Sequence, residues 1–344
     1  MALPAVPYLR AAAPVSAPRV LGKTGLKICP LGMACMLVSD PTVVDRAIDL
    51  GVSFFDTARD YQKGNNERRV GAVLKGRRNK VILESKTTAK TREQALVDLD
   101  TNLKEVGADY LDIWRLHSKN KPEEVTDELL EAQRIAKQAG KIRFAGVSLH
   151  PVSKDFIPAL VKRGQTDVIL TACNFAMPLE MEMRESIRAA RQAGVGIVAM
   201  KVMASGVSRL RTIGGKIGNI DAKATGDRPR NAGGMMAALR WAPRNQRVDT
   251  AIVGILDAGQ LAGNFAAASQ PFTEDDRKKL SARLEEIRPL CCRMCGSCDG
   301  ECRRGLSVPD MLRIRTYADS CGDFALARRL QPLHRALSQR RART

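Results

Sequence analysis

Residues 80–119, KVILESKTTAKTREQALVDLDTNLKEVGADYLDIWRLHSK, decide the fold. KVILES is a short run of apolar and β-branched side chains, too short for a helix, and reads as a strand. TREQALVDLDTNLKEV carries apolar residues at helical spacing along one face. YLDIWRL is again short and apolar, a second strand. A strand, an amphipathic helix and a strand in this order imply parallel pairing through a right-handed crossover.

The same beat recurs in both directions along the chain. The strand candidates are ICPLGM (28–33), VSFFD (52–56), KVILES (80–85), YLDIWRL (110–116), IRFAGVS (142–148), DVILTAC (167–173), GIVAM (196–200) and TAIVG (250–254), separated by helical stretches. Asp40 before Pro41 opens the first helix with an N-cap and a proline at its first position. Eight such units within about 250 residues close a (β/α)8 TIM barrel of the α/β class. The alternative is an open, doubly wound sheet. No G-x-G-x-x-G follows the early strands, which disfavours it and requires any nicotinamide cofactor to bind by other means. RVLGKTGLKI (19–28) reads as a hairpin ahead of the barrel, with KTG at its turn. The Gly-rich, basic, aperiodic connection 203–230 reads as a cofactor lid.

The 344 residues suit one barrel plus a small appendix. The organisation expected is a flexible leader (1–19), the barrel (20–288), a small cysteine-rich helical module (289–332) and a basic tail (333–344). No apolar run approaches the roughly eighteen residues of a membrane helix, and the leader lacks the apolar core of a secretory signal, so the expected location is the cytoplasm. The net charge of +19 would suit a polyanion. Arg and Lys are spread along the whole length, however, and only four Tyr and eight Phe are available to stack on bases, so a solvated basic surface is favoured over specific nucleic-acid binding. Such a surface also attracts a phosphorylated cofactor.

Barrel enzymes place their chemistry at the C-terminal ends of the strands. There the chain carries Asp56, Lys86, His117, Ser148, Asn174 and Lys201, with Tyr61 five residues past Asp56 in DTARDY. A phenol with its ordinary pKa of about 10 is a poor proton donor to a developing alkoxide unless a cation stabilises the phenolate. Lys86 supplies that cation, Asp56 holds the ammonium, and His117 donates to a carbonyl oxygen. Singly, each has a plainer reading, as a buried histidine, a cap, a solvated lysine or a loop aromatic. The ordered set on one barrel rim favours catalysis.

FFDTARDYQKGNNERRVGAVL, VILESK and YLDIWRLHS together resemble segments of the aldo/keto reductase superfamily, and the resemblance runs from about Val20 to Ala268. It implies an NADP(H)- or NAD(H)-dependent reduction of an aldehyde, ketone or quinone-like carbonyl, with Asp56, Tyr61, Lys86 and His117 as the catalytic set. It further implies cofactor contacts from Gly32, Ser148, Asn174, Lys201, Gly254, Gln260 and Asn264. Two positions depart from the family pattern. Leu149 stands where Asn is frequent, and Gln260 where many members use Arg to grip the adenosine 2′-phosphate, which leaves NADPH and NADH both open.

Five of the nine cysteines lie between Cys291 and Cys302. Cys292, Cys295, Cys298 and Cys302 follow the bacterial ferredoxin spacing, and the segment resembles the C-terminal iron-sulfur extension of one aldo/keto reductase branch. A [4Fe-4S] cluster is the expectation, with zinc or a metal-free segment as alternatives. Arg303 replaces the usual proline, and Cys321 is the alternative fourth ligand. Cys29, Cys35 and Cys173 read as buried core. A second functional reading is a non-catalytic nicotinamide-binding redox sensor, or an electron-transfer partner acting through the cluster.

Overall fold

The computed structural model describes residues 17–149, 155–177, 181–203, 212–213, 216–217, 232–287, 302 and 308–315. Eight of its strands are parallel: β3 (Leu31–Ala34), β4 (Phe54–Asp56), β5 (Ile82–Thr87), β6 (Leu111–Lys119), β7 (Ile142–Leu149), β8 (Val168–Ala172), β9 (Gly196–Met200) and β12 (Thr250–Gly254). They close a barrel in the order β12-β3-β4-β5-β6-β7-β8-β9. Each coincides with one of the eight apolar runs. With helices covering the outside and side chains filling the interior, a strand of this kind is buried on both faces and has no need to alternate polar and apolar residues.

The helices between the strands start and stop on local chemistry. In α1 (Pro41–Asp49), Asp40 caps the first turn by accepting the Thr42 N–H at 2.9 Å. Thr91 caps α3 (Arg92–Val106), and Gly107 ends it with a left-handed φ of 63°. Thr126 and Asp257 cap α4 (Asp127–Gln138) and α8 (Ala258–Ser269) in the same way. The other helices are α2 (Asn65–Leu74), α5 (Phe156–Arg163), α6 (Met181–Gln192), α7 (Ala232–Trp241) and α9 (Glu274–Ile287). Among the described residues, no helix is long and apolar enough to cross a membrane.

The expected hairpin is present as β1 (Arg19–Val20) paired antiparallel with β2 (Lys27–Ile28). It closes the barrel floor beside the start of β9, where Leu21 is fully buried and Lys23 N–H donates to the Gly194 carbonyl at 2.8 Å. A Cβ on Gly22 would fall 2.4 Å from that carbonyl, and one on Gly196 would fall 2.7 Å from Leu21 Cδ1, so the contact needs both glycines. The opposite rim, formed by the C-terminal strand ends, stays clear of this plug.

Several expectations fall outside the described residues. They concern the leader up to residue 16, most of the 203–230 connection, Cys291, Cys292, Cys295, Cys298, Cys321 and the basic tail. Within the 203–230 segment a two-stranded antiparallel pair is described, β10 (Thr212–Ile213) with β11 (Lys216–Ile217). In the cysteine-rich region, α10 (Val308–Arg315) and the half-buried Cys302 are described. Cys29, Cys35 and Cys173 are core residues, as expected.

Candidate active site

Asp56, Tyr61, Lys86 and His117 come together at the C-terminal rim. Lys86 on β5 reaches three oxygens: Asp56 Oδ2 at 2.5 Å, the Thr57 carbonyl at 2.7 Å and Tyr61 Oη at 3.3 Å. Its ammonium also lies 4.7 Å from the Tyr61 ring centre. The His117 ring stands edge-on to Tyr61, with centroids 5.7 Å apart and planes at 76°. Asp56 and Lys86 are sealed from water, while the His117 side chain keeps 9% exposure on the rim.

The loop carrying Tyr61 is held by a buried polar network. Thr57 donates to Asn66 at 2.6 Å, and Asn66 donates to the Cys35 carbonyl at 2.7 Å. Arg59 pairs with Glu67 at 2.5 Å, and Glu67 in turn accepts from Ser85 and Asn102. Gln62 donates to the Met36 and Val38 carbonyls. Among the described residues, the non-glycine positions with positive φ are Gln62, Lys63, Ser118 and Lys201, all on rim loops or strand ends. Such strain persists only where the surroundings over-determine the backbone, and it gathers at functional sites.

His117 is aimed by an irregularity in the sheet. The β6–β7 register shifts between Leu116 and Lys119, and Ser118 takes a φ of 56°. Ser148, at the end of β7, holds this bulge by accepting the Ser118 N–H at 2.8 Å. Asp60 Oδ1 lies 3.1 Å from His117 Nδ1 on the other side. This contact is at ion-pair distance but is not an aligned hydrogen bond, since Nδ1 finds no partner of good geometry. Burial raises the Asp60 carboxyl, but His117, its own backbone N–H and Lys86 together more than offset this and leave it below its usual range. Asp60 is half-exposed, so its pairing with His117 is worth at most about 1 kcal/mol. Asp60→Asn is therefore expected to lower kcat/KM by no more than about fivefold, measured with any carbonyl the enzyme turns over.

The electrostatics differ from expectation in one respect. Lys86 does draw the Tyr61 phenol toward ionisation, but burial is the larger effect and Asp56 adds to it, so the phenol is held above its ordinary range. It therefore stays protonated in the resting site. Burial opposes the Lys86 ammonium, and the Asp56 carboxylate against it, first among the groups that act the other way, keeps the charge on.

Of the residues expected to touch a cofactor, Ser148, Asn174, Lys201 and Gly254 stand at or just past strand ends on the same rim, several of them already engaged. Asn174 accepts from the Ala176 and Met177 N–H groups and donates to the Lys201 carbonyl at 3.1 Å, which ties the loops after β8 and β9 together. Ser148 accepts from Ser118, and among the described residues none takes its hydroxyl proton. Gln260 N–H donates to Asp257, the cap of α8, at 2.8 Å, and the Gln260 side chain accepts the Leu256 N–H at 3.1 Å. Gly254 ends β12 on the rim and Asn264 is buried on α8. A Cβ at Gly32, the remaining expected cofactor contact, would meet Phe54 Cδ1 at 2.7 Å, so that ring needs the glycine.

Sequence reasoning passed over Asp60, Asn66, Glu67, Glu84 and Arg115. The first three sit in or next to the segment that resembles the family, and their polar types in DTARDYQKGNNE were the available signal.

Residues 40–285 match the model of the aldo/keto reductase family. The chain is 24% identical over 310 residues to L-galactose dehydrogenase of Arabidopsis thaliana, covering 79% of this chain and 95% of that protein. It is 25% identical over 322 residues to L-glyceraldehyde 3-phosphate reductase of Escherichia coli O157:H7, covering 78% and 92%. The holo form of an aldo-keto reductase from Bacillus halodurans superposes with a TM-score of 0.62 at 27% identity, covering 78% of this chain and 96% of that one. A closed eight-stranded barrel, four polar residues converging on its C-terminal rim and a family match across that barrel agree, and the chain belongs to the aldo/keto reductase family.

Proposed function

We propose that this chain is an NAD(P)H-dependent oxidoreductase that moves a hydride between a nicotinamide and an aldehyde, ketone or quinone-like carbonyl, with Tyr61 as the proton donor. The observation that carries the reading is the Lys86 ammonium, buried between Asp56 at 2.5 Å and the Tyr61 hydroxyl at 3.3 Å. A bound reduced nicotinamide supplies the hydride. The residues present fit it: Ser148 offers a buried hydroxyl proton and Asn174 a second amide hydrogen, on the ends of neighbouring strands, matched to a planar carboxamide. Lys201, Gly254, Gln260 and Asn264 are the proposed contacts for the rest of the cofactor.

His117 orients the carbonyl oxygen beside the phenol. As negative charge grows on that oxygen, Tyr61 gives it the phenolic proton, and the phenolate left behind faces the Lys86 ammonium. Asp56 keeps that ammonium charged and in place. A filled set of this kind weighs against the non-catalytic sensor.

The test is turnover by purified protein with NADPH and NADH on a panel of sugar aldehydes, simple aldehydes, ketones and quinones. Oxidation of neither cofactor by any member of the panel would overturn the reading. The two relatives named for sugar substrates make short aldoses and their phosphates the first compounds to try. The cysteine spacing supports a [4Fe-4S] cluster on Cys292, Cys295, Cys298 and Cys302. Iron and sulfide analysis of anaerobically purified protein tests it, and no step of the reaction above runs through it.

A further inference from the structure

A second charged pair lies in the barrel directly beneath the first. Strand register sets Asp56 beside Glu84 and Lys86 beside Arg115, and the two-residue repeat along β5 points Glu84 to the same interior face as Lys86. Arg115 Nε donates to Glu84 Oε2 at 2.8 Å, and a second guanidinium nitrogen donates to the same oxygen. Gly146 makes the room, since a Cβ there would fall 2.9 Å from Arg115 Cγ. Both side chains are fully buried.

Strand register sets the Glu84 and Asp56 carboxyl groups side by side, each acting on the other's protonation. Glu84 Oε2 is fully used by Arg115, whereas Glu84 Oε1 is buried without a partner. Two neighbouring carboxylates away from water do not both ionise at low cost, and one proton between them removes the repulsion. A proton on Oε1 would also give the orphaned atom its partner. We propose that Glu84 is a positioning residue of the active site: it carries a proton on Oε1, donates it to Asp56, and leaves Arg115, Lys86 and Asp56 as the ionised groups, a net positive interior beneath Tyr61. When Tyr61 gives up its proton, the phenolate then forms over one unbalanced positive charge. Loss of the Glu84 proton cancels that charge.

The groups facing Glu84 are Asp56 on β4, Lys86 on β5 and Arg115 on β6, while β7 and β8 contribute the bare Gly146 and the Val168 carbonyl. Burial raises the Glu84 carboxyl most, Arg115 pulls it back and Asp56 raises it again, so that it is pushed up to about 8. From the ordinary carboxyl range up to about 8, the folded chain holds a proton that the unfolded chain releases, so stability falls as pH rises through that window.

The proposal rests on Tyr61 as donor, and the first readout is independent of turnover so that the two can fail separately. Infrared spectra of wild type and Glu84→Gln at neutral pH are expected to differ by the carbonyl stretch of one protonated carboxyl, lost from wild type as pH rises through about 8. Glu84→Gln cannot lose the proton, so it is also expected to remove the alkaline fall in kcat and the stability slope over the same window. No protonated-carboxyl band in the difference spectrum, or an alkaline limb unchanged by the substitution, would overturn the proposal. If Glu84→Gln does not fold, the infrared titration is run in Glu67→Gln instead. Among the described residues Glu67 is the other glutamate held above its usual range, so absence of a titrating band in that background refutes the assignment.

Discussion

Tyr61→Phe is expected to lower kcat for carbonyl reduction by about 10²–10⁴-fold, the usual contribution of a positioned acid, with cofactor affinity unchanged. The substitution removes one oxygen. That oxygen touches Lys86 at 3.3 Å and makes no contact that holds the loop, which is anchored through Thr57, Arg59 and Gln62. The ring itself stays packed against His117. Loss should therefore fall on kcat, and KM should move little. Cofactor fluorescence titration together with steady-state kinetics separates the two, and a phenylalanine variant with near-normal kcat would exclude Tyr61 as donor.

Lys86→Met is expected to have the largest combined effect. It removes the cation that stabilises the phenolate and strands Asp56, a carboxylate with almost no exposure, without its counter-charge. Removing one partner of a buried pair costs about 3–5 kcal/mol of stability. In wild type, burial raises the Asp56 carboxyl but Lys86, Glu84 and Arg115 together hold it below its usual range. Asp56 thus contributes stability above the ordinary carboxyl range, lost as pH falls through its lowered value. In Lys86→Met that stabilisation is gone and burial, no longer opposed by the ammonium, raises the carboxyl, so the penalty should shrink as pH falls toward the ordinary carboxyl range and the stranded group takes up a proton. Urea unfolding at neutral and acid pH measures this. Adding Asp56→Asn should recover part of the stability and none of the activity, because the charge conflict is relieved while the cation stays absent.

The barrel was legible because its strands are buried on both faces and stand out as apolar runs, and because Asp40-Pro41 marks a helix start by local chemistry. The rim residues were legible because each ends or follows a strand. What sequence could not show is pairing across strands. Glu84 in VILES and Arg115 in DIWRL read as single charges in otherwise apolar runs, and only the closed register sets one against the other inside the barrel. Asp60 was hidden for the same reason: its partner, His117, is on another strand. The direction of the Tyr61 shift depends on burial, which the order of residues does not reveal. Ser148 and Asn174 were read as cofactor contacts; what the structure shows is that each braces a strained rim backbone, at Ser118 and Lys201.

In the proposed reaction the barrel directs a hydride to a carbonyl carbon while Tyr61 supplies the proton. The most direct test uses NADPH deuterated at the transferable position of the nicotinamide, a carbonyl substrate found by the panel, and mass analysis of the alcohol formed. Deuterium on the former carbonyl carbon, delivered by wild type and slowed at least about a hundredfold in Tyr61→Phe, is the predicted result. An alcohol without deuterium, or delivery at the same rate in both proteins, would contradict it.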